Sequence, residues 1–233
     1  ASYLAHETEC PNINLLHLSS RKAVEAALMM ERTFPHVNFR REVTVGHLLL
    51  DIDAPTTVQA KVNPPIRPRA DVEFLWQALL NRQIHWVVTD HACCSAEQKW
   101  SREHPGNIWL AKSGFGGAEY LLSGVMSEGS RRGMSYNHMA EVLCWNPAQR
   151  FGLYQKGDIA PGYDADLVLV DPHQTYTVRA ADSPSQQGYT PFEGQELTGK
   201  VKRTFLRGEL IYDGASVIGP ARGQYLKRPL AKG

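Results

Sequence analysis

Residues 64–90, PPIRPRADVEFLWQALLNRQIHWVVTD, decide the fold of this chain. The prolines predict a loop, and the middle of the stretch predicts a helix because its apolar side chains recur at helical spacing. These side chains are Val72, Leu75, Trp76 and Leu79. The next run, IHWVVT, is apolar and β-branched, as in a strand covered on both faces. The stretch therefore predicts a helix and then a buried strand that ends on Asp90.

The same alternation continues on both sides of this stretch. INLLHL (13–18) and VNFRREVTV (37–45) predict strands, and between them SSRKAVEAALMMERTF (19–34) predicts a helix that Ser19 or Ser20 can cap. Further helices are predicted up to about Arg132 and over 135–153. Alternating strands and helices predict an α/β domain of parallel strands with crossover helices, possessing functional groups at the carboxyl ends of the strands.

From about residue 155 the pattern changes to short β-rich runs separated by glycine and aspartate. RTFLRGELIYDG (203–214) predicts a hairpin with Arg207 and Gly208 at its tip, and 180–196 predicts a long loop. We therefore predict two domains, residues 1–154 and residues 155–233.

Composition excludes several classes of protein. The chain is 42% hydrophobic and has a net charge of +1, so neither a nucleic-acid surface nor an anionic-membrane patch is expected. No apolar run has the length of a membrane span, and the N-terminus has no signal-peptide pattern. The four cysteines form no disulfide framework, which favours a cytoplasmic location.

Two polar residues lie at the ends of predicted strands. A carboxylate such as Asp90 is costly there unless it is paired or bound to metal, although a helix cap or turn explains it equally well. His17 lies near the end of the apolar run at 13–18, where a hydrogen-bonded core histidine is the more common case. Imidazole and carboxylate are ligand types of catalytic zinc, and a barrel rim would bring the two together.

Other residues are weaker candidates. Asn63, in KVNPPIR, offers an amide to a polar substrate or stabilises a turn, and SGFGG (113–117) exposes backbone amides or is a flexible turn. Cys93 and Cys94 fit no structural zinc pattern and are expected to be small buried side chains. His91 is expected to support Asp90 or to face solvent, and His47 to support the site or lie in the core.

Six segments, in chain order, resemble the cyclic amidohydrolases, which include dihydroorotase, hydantoinase (dihydropyrimidinase) and allantoinase. The segments are LLHLSS, EVTVGHLLLD, KVNPPIRPRADVEFLWQALLNRQIHWVVTDHACC, GFGGAEYLLSGVMSEG, NPAQRFGLYQKGDIAPGYDADLVLVDP and YTPFEGQELTGKVKRTFLRGELIYDG. The resemblance covers nearly the whole chain. It implies the second half of a TIM-type (β/α) barrel over 1–154 and part of a small β-sandwich over 155–233.

The resemblance also implies a mechanism and a zinc cofactor of one or two ions. His17 matches a metal ligand, and Asp90 matches a ligand that shuttles the proton while a zinc-bound hydroxide attacks the ring amide carbonyl. Further positions match groups around the substrate, a small cyclic amide or ureide. They are Asn63, Cys94, Gly114 and Phe115, with His47 and His91 in support.

Two departures from the family pattern bear on the function. Dihydroorotases commonly carry histidine at the position of Cys94, and a cysteine there is more like the allantoinases. The segments EVTVGHLLL and KVNPPIR, in contrast, favour a dihydroorotase-like enzyme. The H-x-H pair, the bridging carboxylate or carboxylated lysine and a further histidine are absent from the chain. We therefore expect this chain to be inactive alone, and to form a homo-oligomer or pair with an N-terminal segment. The alternatives are a hydantoinase, an allantoinase or a non-catalytic amidohydrolase-like scaffold.

Overall fold

The computed structural model describes residues 1–54, 57–100 and 102–228 of the 233-residue chain. These residues form two compact units, each built from two separate parts of the sequence. The first unit contains Ala1–Leu121 and Thr177–Glu196, and the second contains Leu122–Tyr176 and the chain from Leu197 onward. The two units are described separately below.

A three-stranded parallel sheet lies at the centre of the first unit. Its strands are β1 (Asn12–Leu15), β2 (Asn38–Thr44) and β3 (Trp86–Val88), in the spatial order β1-β2-β3. Ile13 lies opposite Phe39, and Val43 lies opposite Val87. The three strands predicted from the sequence are therefore confirmed, and β2 is the central one.

Four helices pack with this sheet: α1 (Ser2–Glu7), α2 (Arg21–Thr33), α3 (Val45–Leu49) and α4 (Arg69–Leu80). Of the two predicted caps, Ser20 is the one used, because its side chain accepts a hydrogen bond from Ala23 N at 3.3 Å. The predicted apolar face of α4 is buried, and the Trp76 indole donates to Leu48 O at 2.8 Å. This bond fixes α4 to α3 within the core of the unit.

The rest of the first unit is mostly loop. It contains the four-residue helix α5 (Ala96–Lys99) and three short 3₁₀ segments, at Thr57–Ala60, Ala118–Tyr120 and Ala180–Asp182. The loop predicted over 180–196 is present, and its Phe192 packs edge-on against Phe115 and Tyr120. This loop therefore contributes to the apolar core of the unit as well as to its surface.

The second unit contains helices and an antiparallel hairpin. Helix α6 (Leu121–Arg131) ends close to the predicted Arg132, and β4 (Leu167–Thr177), β5 (Glu196–Leu206) and β6 (Glu209–Tyr212) form a sheet in that order. Arg207 and Gly208 connect β5 to β6 with φ angles of 49° and 80°. Positive φ at both central residues is typical of a tight hairpin turn, which confirms the predicted tip.

The helix predicted over 135–153 is present over 136–150. It consists of α7 (Tyr136–Ala140), a π-helical turn at Glu141–Trp145 and α8 (Asn146–Arg150), which follow one another without a gap. Pro147 has no N–H to donate to the preceding turn, so regular α-helical bonding cannot continue through it. The predicted helix is therefore confirmed, with a π-helical turn that was not predicted.

The predicted division at residue 154 stays a prediction, because the two compact units are groups of packed residues and need not coincide with domains. Within the described parts of the chain, no helix combines the length and the apolar character needed to cross a bilayer. The cytoplasmic location also stays a prediction.

Candidate active site

His17 and Asp90 lie at the same edge of the parallel sheet. Each follows its strand by two residues, His17 after β1 and Asp90 after β3, and these strands flank β2. Because the strands are parallel, their carboxyl ends share one edge, where ligands of α/β proteins commonly bind. The structure therefore brings together the two residues that the sequence singled out.

Both residues adopt a left-handed backbone conformation. The φ angle is 36° at His17 and 50° at Asp90. Few non-glycine residues adopt this region, and histidine and aspartate are among those enriched there. Outliers of this kind cluster at functional sites, where the surrounding structure holds them in place. The same unusual backbone conformation therefore follows the two strands that neighbour β2, at the two candidate ligand residues.

The structure bears on the alternative explanations of both residues. Asp90 does not cap helix α5, which begins after Ser95, and its positive φ is compatible with the turn explanation. His17 is not a hydrogen-bonded core histidine, because its buried Nδ1 has no hydrogen-bond partner in the described structure. A buried, unpartnered imidazole nitrogen is available to another ligand.

Glu42 supports His17, and sequence analysis did not identify it. This buried residue of β2 accepts a hydrogen bond from His17 N at 3.3 Å through Oε1 and one from the Trp86 indole at 2.8 Å through Oε2. Its backbone oxygen accepts from Leu18 N at 2.8 Å. Glu42 therefore fixes the main chain on both sides of the turn at His17. The only sequence signal was an acidic residue inside an otherwise buried strand.

His47 lies in the core beside this edge of the sheet. It is 2% exposed, and its Nε2 lies 3.0 Å from Pro64 O while its Nδ1 lies 2.7 Å from the Thr44 hydroxyl. Since a carbonyl oxygen can only accept, the proton is assigned to Nε2, and Nδ1 accepts from Thr44. Both ring nitrogens are thus occupied, which suits a supporting residue and not a metal ligand.

The charges of the candidate ligands reach His47. Burial lowers the pKa of His47 from its ordinary value of 6.5, and the Pro64 hydrogen bond opposes this shift. The charges of His17 and Arg67 lower the pKa further, while the charge of Asp90 raises it. His17 and Asp90 therefore both lie within electrostatic reach of one buried imidazole.

We expect His47 to make the protein less stable in mild acid. The unfolded chain takes up a proton near pH 6.5, whereas folded His47 resists it, so the stabilisation present above pH 6.5 is lost as the pH falls towards the lowered pKa. Chemical denaturation of metal-free protein gives the free energy of unfolding between pH 7.5 and 5. This free energy should fall more steeply with falling pH in wild type than in His47→Gln, which keeps a donor for Pro64 O. Equal pH dependence of the two proteins would contradict this assignment.

The two predicted substrate segments lie side by side. Asn63 Nδ2 donates to Ser113 Oγ at 2.9 Å, and Gly114 N donates to Lys61 O at 2.9 Å. Asn63 is exposed, and its side-chain bond spans two loops, so it is not a local turn residue. The Asn63–Pro64 peptide is cis. Residues 61–63 and 113–114 therefore belong to two loops that hydrogen bonds hold side by side.

Gly114 and Phe115 differ in what they offer to a ligand. Gly114 has a φ of 102°, and a Cβ there would lie 2.8 Å from Ala92 Cβ, so glycine is required at this position. The Phe115 ring is buried against Phe192, and a Cβ on Gly46 would lie 2.9 Å from it. The Phe115 side chain belongs to the core, so any contact of this residue with substrate must come from its backbone.

The vicinal cysteines are more exposed than the sequence indicated. Cys93 is exposed and Cys94 is half-buried, with the Cys94 Sγ 3.8 Å from the Tyr189 hydroxyl. The expectation of two small buried side chains was wrong for Cys93, because the chain after Asp90 runs along the surface as a loop and not into a second layer. Burial raises the pKa of Tyr189, and the contact with Cys94 adds to this effect.

His91 holds the loop that leads into helix α6. Its Nδ1 accepts hydrogen bonds from Gly117 N and Ala118 N, both at 3.1 Å. Because Nδ1 accepts, a neutral His91 carries its proton on Nε2. The residue next to Asp90 is therefore bonded to the start of the 3₁₀ segment at Ala118–Tyr120.

The donor set fits part of a zinc site. His17 supplies a buried nitrogen without a partner and Asp90 a carboxylate, at one edge of one sheet. Three protein ligands are usual for catalytic zinc, and the described residues contain no cluster of three or more histidine, cysteine or acidic side chains that could hold a metal ion. This chain thus provides two candidate ligands of a larger set.

Comparison with known proteins gives a consistent result. The model of the Amidohydrolase family matches residues 20–211. The allantoinase of Rubrobacter xylanophilus is 33% identical over 237 residues, which cover 100% of this chain and 50% of the relative. The allantoinase of Salmonella gallinarum is 32% identical over 230 residues, 96% of this chain and 49% of the relative. The chain spans about half the length of these curated relatives.

Solved structures agree with the fold. The L-hydantoinase (dihydropyrimidinase) from Arthrobacter aurescens matches with a TM-score of 0.86 at 29% identity, covering 94% of this chain and 48% of the hydantoinase. A D-hydantoinase matches with a TM-score of 0.88 at 28% identity, covering 97% and 50%. The expected α/β fold, as about half of a hydantoinase-type barrel protein, is confirmed.

Proposed function

Because the chain belongs to the amidohydrolase family, we propose that it forms part of the active site of a metal-dependent enzyme that hydrolyses a cyclic amide or ureide. The observation that carries this proposal is the shared position of His17 and Asp90 at the carboxyl ends of β1 and β3, both in left-handed conformation. The similarity to allantoinases and hydantoinases supports the reaction class.

In the proposed mechanism, His17 and Asp90 would contribute two of the ligands that hold the metal, most simply zinc. When bound, zinc polarises a carbonyl and lowers the pKa of water towards neutrality. The Asp90 carboxylate accepts a proton from the attacking water as the new C–O bond forms. It then donates this proton to the ring nitrogen as the C–N bond breaks, so the ring opens to a carboxylic acid and an amine or urea nitrogen.

Asn63 and the backbone at Gly114 and Phe115 are proposed to orient the ring. Asn63 offers one amide side chain, and its bond to Ser113 leaves its carbonyl oxygen to accept from a ring N–H. Because the Gly114 N–H already donates to Lys61 O, a ring carbonyl is proposed to accept from the Phe115 N–H, with Gly114 lying against the ring. Cys94 is proposed to contact the ring substituent that distinguishes one substrate from another.

For the substrate, we propose a ureide ring such as allantoin or a hydantoin. Over the full length of this chain, 33% of the residues are identical to those of an allantoinase. Cys94 stands where dihydroorotases commonly carry histidine. A cysteine cannot form the charged hydrogen bond that a protonated histidine gives to a substrate carboxylate. The dihydroorotase-like assignment stays a prediction that the same assay tests.

The remaining metal ligands are proposed to come from protein beyond this chain. The relatives are about twice as long as the part that they share with it. We refer to the assembly of this chain with those additional ligands as the complete enzyme, whether the two parts are one polypeptide or two. An additional N-terminal part, or a second copy of this chain, are the two proposed partners.

Turnover assays test this function. Allantoin, hydantoin, dihydrouracil and dihydroorotate are offered to this chain alone and to the complete enzyme, with added zinc and with chelator. We expect no turnover by the chain alone and chelator-sensitive turnover of a ureide by the complete enzyme. If dihydroorotate is the only one of the four rings that the complete enzyme turns over, the dihydroorotase-like assignment is supported instead.

Absence of turnover with all four rings by a folded, zinc-loaded complete enzyme would overturn the proposal. A non-catalytic scaffold would be the remaining explanation in that case. Clear zinc-dependent turnover by the chain alone would contradict the proposal that ligands come from elsewhere.

A further inference from the structure

Lys99 is a fully buried lysine at the last position of helix α5. It is 0% exposed, whereas lysine is almost never fully buried unless it is paired. Its Nζ donates to Lys61 O at 2.8 Å and to Gly114 O at 2.5 Å. Its own backbone oxygen accepts from Lys112 N at 2.8 Å. Lys99 thus binds the main chain of two separate loops.

These two loops are the ones that carry the proposed substrate groups. Lys61 lies two residues before Asn63, and Gly114 is itself a proposed substrate contact directly followed by Phe115. Gly114 N also donates to Lys61 O, so one carbonyl accepts both from the backbone of the second loop and from the ammonium. We call residues 61–63 and 111–115, together with Lys99, the two-loop junction.

The junction has a second lysine on its outer side. Lys61 Nζ donates to Ala111 O at 2.5 Å and lies 3.5 Å from Trp109 O. The Asn63–Ser113 bond completes the set of contacts between the loops. Because Lys61 is only half-buried and Lys99 is fully buried, the bonds of Lys99 are the ones protected from competing water.

The surroundings of Lys99 show that its position is unfavourable for an ordinary lysine. Burial lowers its pKa to about 8, with Cys94 raising it and Lys61 lowering it. The ammonium lies 6.0 Å from the centre of the Tyr189 ring, which offers a weak cation–π contact. A methionine side chain of similar length would fill this space at lower desolvation cost. The charge is therefore explained by what it binds and not by packing alone.

We propose that Lys99 is a positioning residue that fixes the backbone of both substrate loops, so that Asn63 and Gly114 meet the ring in one geometry. This inference rests on the proposed function, because it assigns the two loops to substrate binding. It requires no contact between Lys99 and the substrate. The expected consequence is on binding of the ring, since His17 and Asp90 lie on other segments.

Three variants test this role: Lys99→Met, Lys99→Arg and the control Lys22→Met. The control removes an exposed lysine of helix α2, in the same compact unit but outside the junction. Hydrogen exchange is measured on the chain itself, and kcat and KM for the preferred ring are measured on the complete enzyme. For Lys99→Met we expect at least about tenfold faster exchange at Gly114 N, because a buried hydrogen-bond acceptor loses its ammonium donor.

In the complete enzyme, KM should rise at least about tenfold in Lys99→Met while kcat changes less than about threefold, since uniform substrate binding is what is lost. Lys99→Arg should recover part of the affinity, and Lys22→Met should match wild type. A fall in kcat as large as the rise in KM would overturn the proposal. An unchanged KM in a folded Lys99→Met variant would overturn it as well. Faster exchange throughout β1, β2 and β3 would show a purely structural role and would also overturn it.

The outcome is separable from that of the proposed function. If the wild-type complete enzyme turns over none of the rings, the proposed function fails whatever Lys99 does. If wild type is active and Lys99→Met has wild-type KM, the inference about Lys99 fails while the proposed function stands.

Discussion

Asp90→Asn should lower turnover by the complete enzyme by about 10²- to 10⁴-fold, the range expected when a general acid–base group is removed. Asparagine has nearly the same shape as aspartate and tolerates the left-handed conformation observed at residue 90, so the fold should be unaffected. An amide cannot accept the proton from water and return it to the leaving nitrogen. The fall should therefore appear in kcat, with KM little changed.

Two measurements make this test decisive. Zinc content of the same samples separates loss of the proton shuttle from loss of the ion, because Asp90 is proposed for both roles. Asp182→Asn, which changes an exposed aspartate of the same compact unit, is the matched control and should keep wild-type turnover. Turnover by Asp90→Asn within about threefold of wild type would remove Asp90 from the mechanism.

His17→Asn should lower both zinc content and turnover of the complete enzyme. Loss of a supporting partner of a metal ligand typically costs about 10–100-fold in affinity or activity, and loss of a ligand should cost at least as much. Asparagine again tolerates the left-handed backbone, and the bond from the residue 17 amide to Glu42 can persist. Excess zinc should restore part of the activity if affinity is what is lost.

The control must exclude adventitious binding by other histidines. His173→Asn removes an exposed histidine of β4 and should leave zinc content unchanged. The exposed pair formed by His6 and His36, whose ring nitrogens lie 3.1 Å apart, could bind stray zinc, so His6→Asn serves as a second control. Wild-type zinc content and wild-type turnover in His17→Asn would show that His17 is not a ligand.

Local pattern was sufficient for most elements of the fold. The strands β1, β2 and β3, the helix α4 with its buried face, and the hairpin at Arg207 and Gly208 all followed from periodicity and turn chemistry. These signals succeed because they depend on residues close in the sequence. The helix over 135–153 was predicted as well, but its π-helical turn was not, because the effect of Pro147 on the preceding turn was not weighed.

The candidate site was only partly visible in the sequence. His17 and Asp90 stood out because each is a polar group directly after an apolar strand. Glu42 and Lys99 did not, since their roles depend on partners far along the chain: Trp86 lies 44 residues from Glu42, and Lys61 lies 38 residues from Lys99. A charged residue has no local pattern that shows whether folding will bury it against a distant carbonyl or donor.

The sequence by itself determined the order of strands and helices, the two polar residues that end the strands, and the resemblance to cyclic amidohydrolases. Only the tertiary structure decided that Glu42 fixes the turn at His17, that both nitrogens of His47 are occupied, and that Lys99 joins the loops of Asn63 and Gly114. The physical reason is that periodicity records which face of an element is apolar, whereas the partner of a buried polar group depends on which distant backbone atoms folding brings within hydrogen-bond distance.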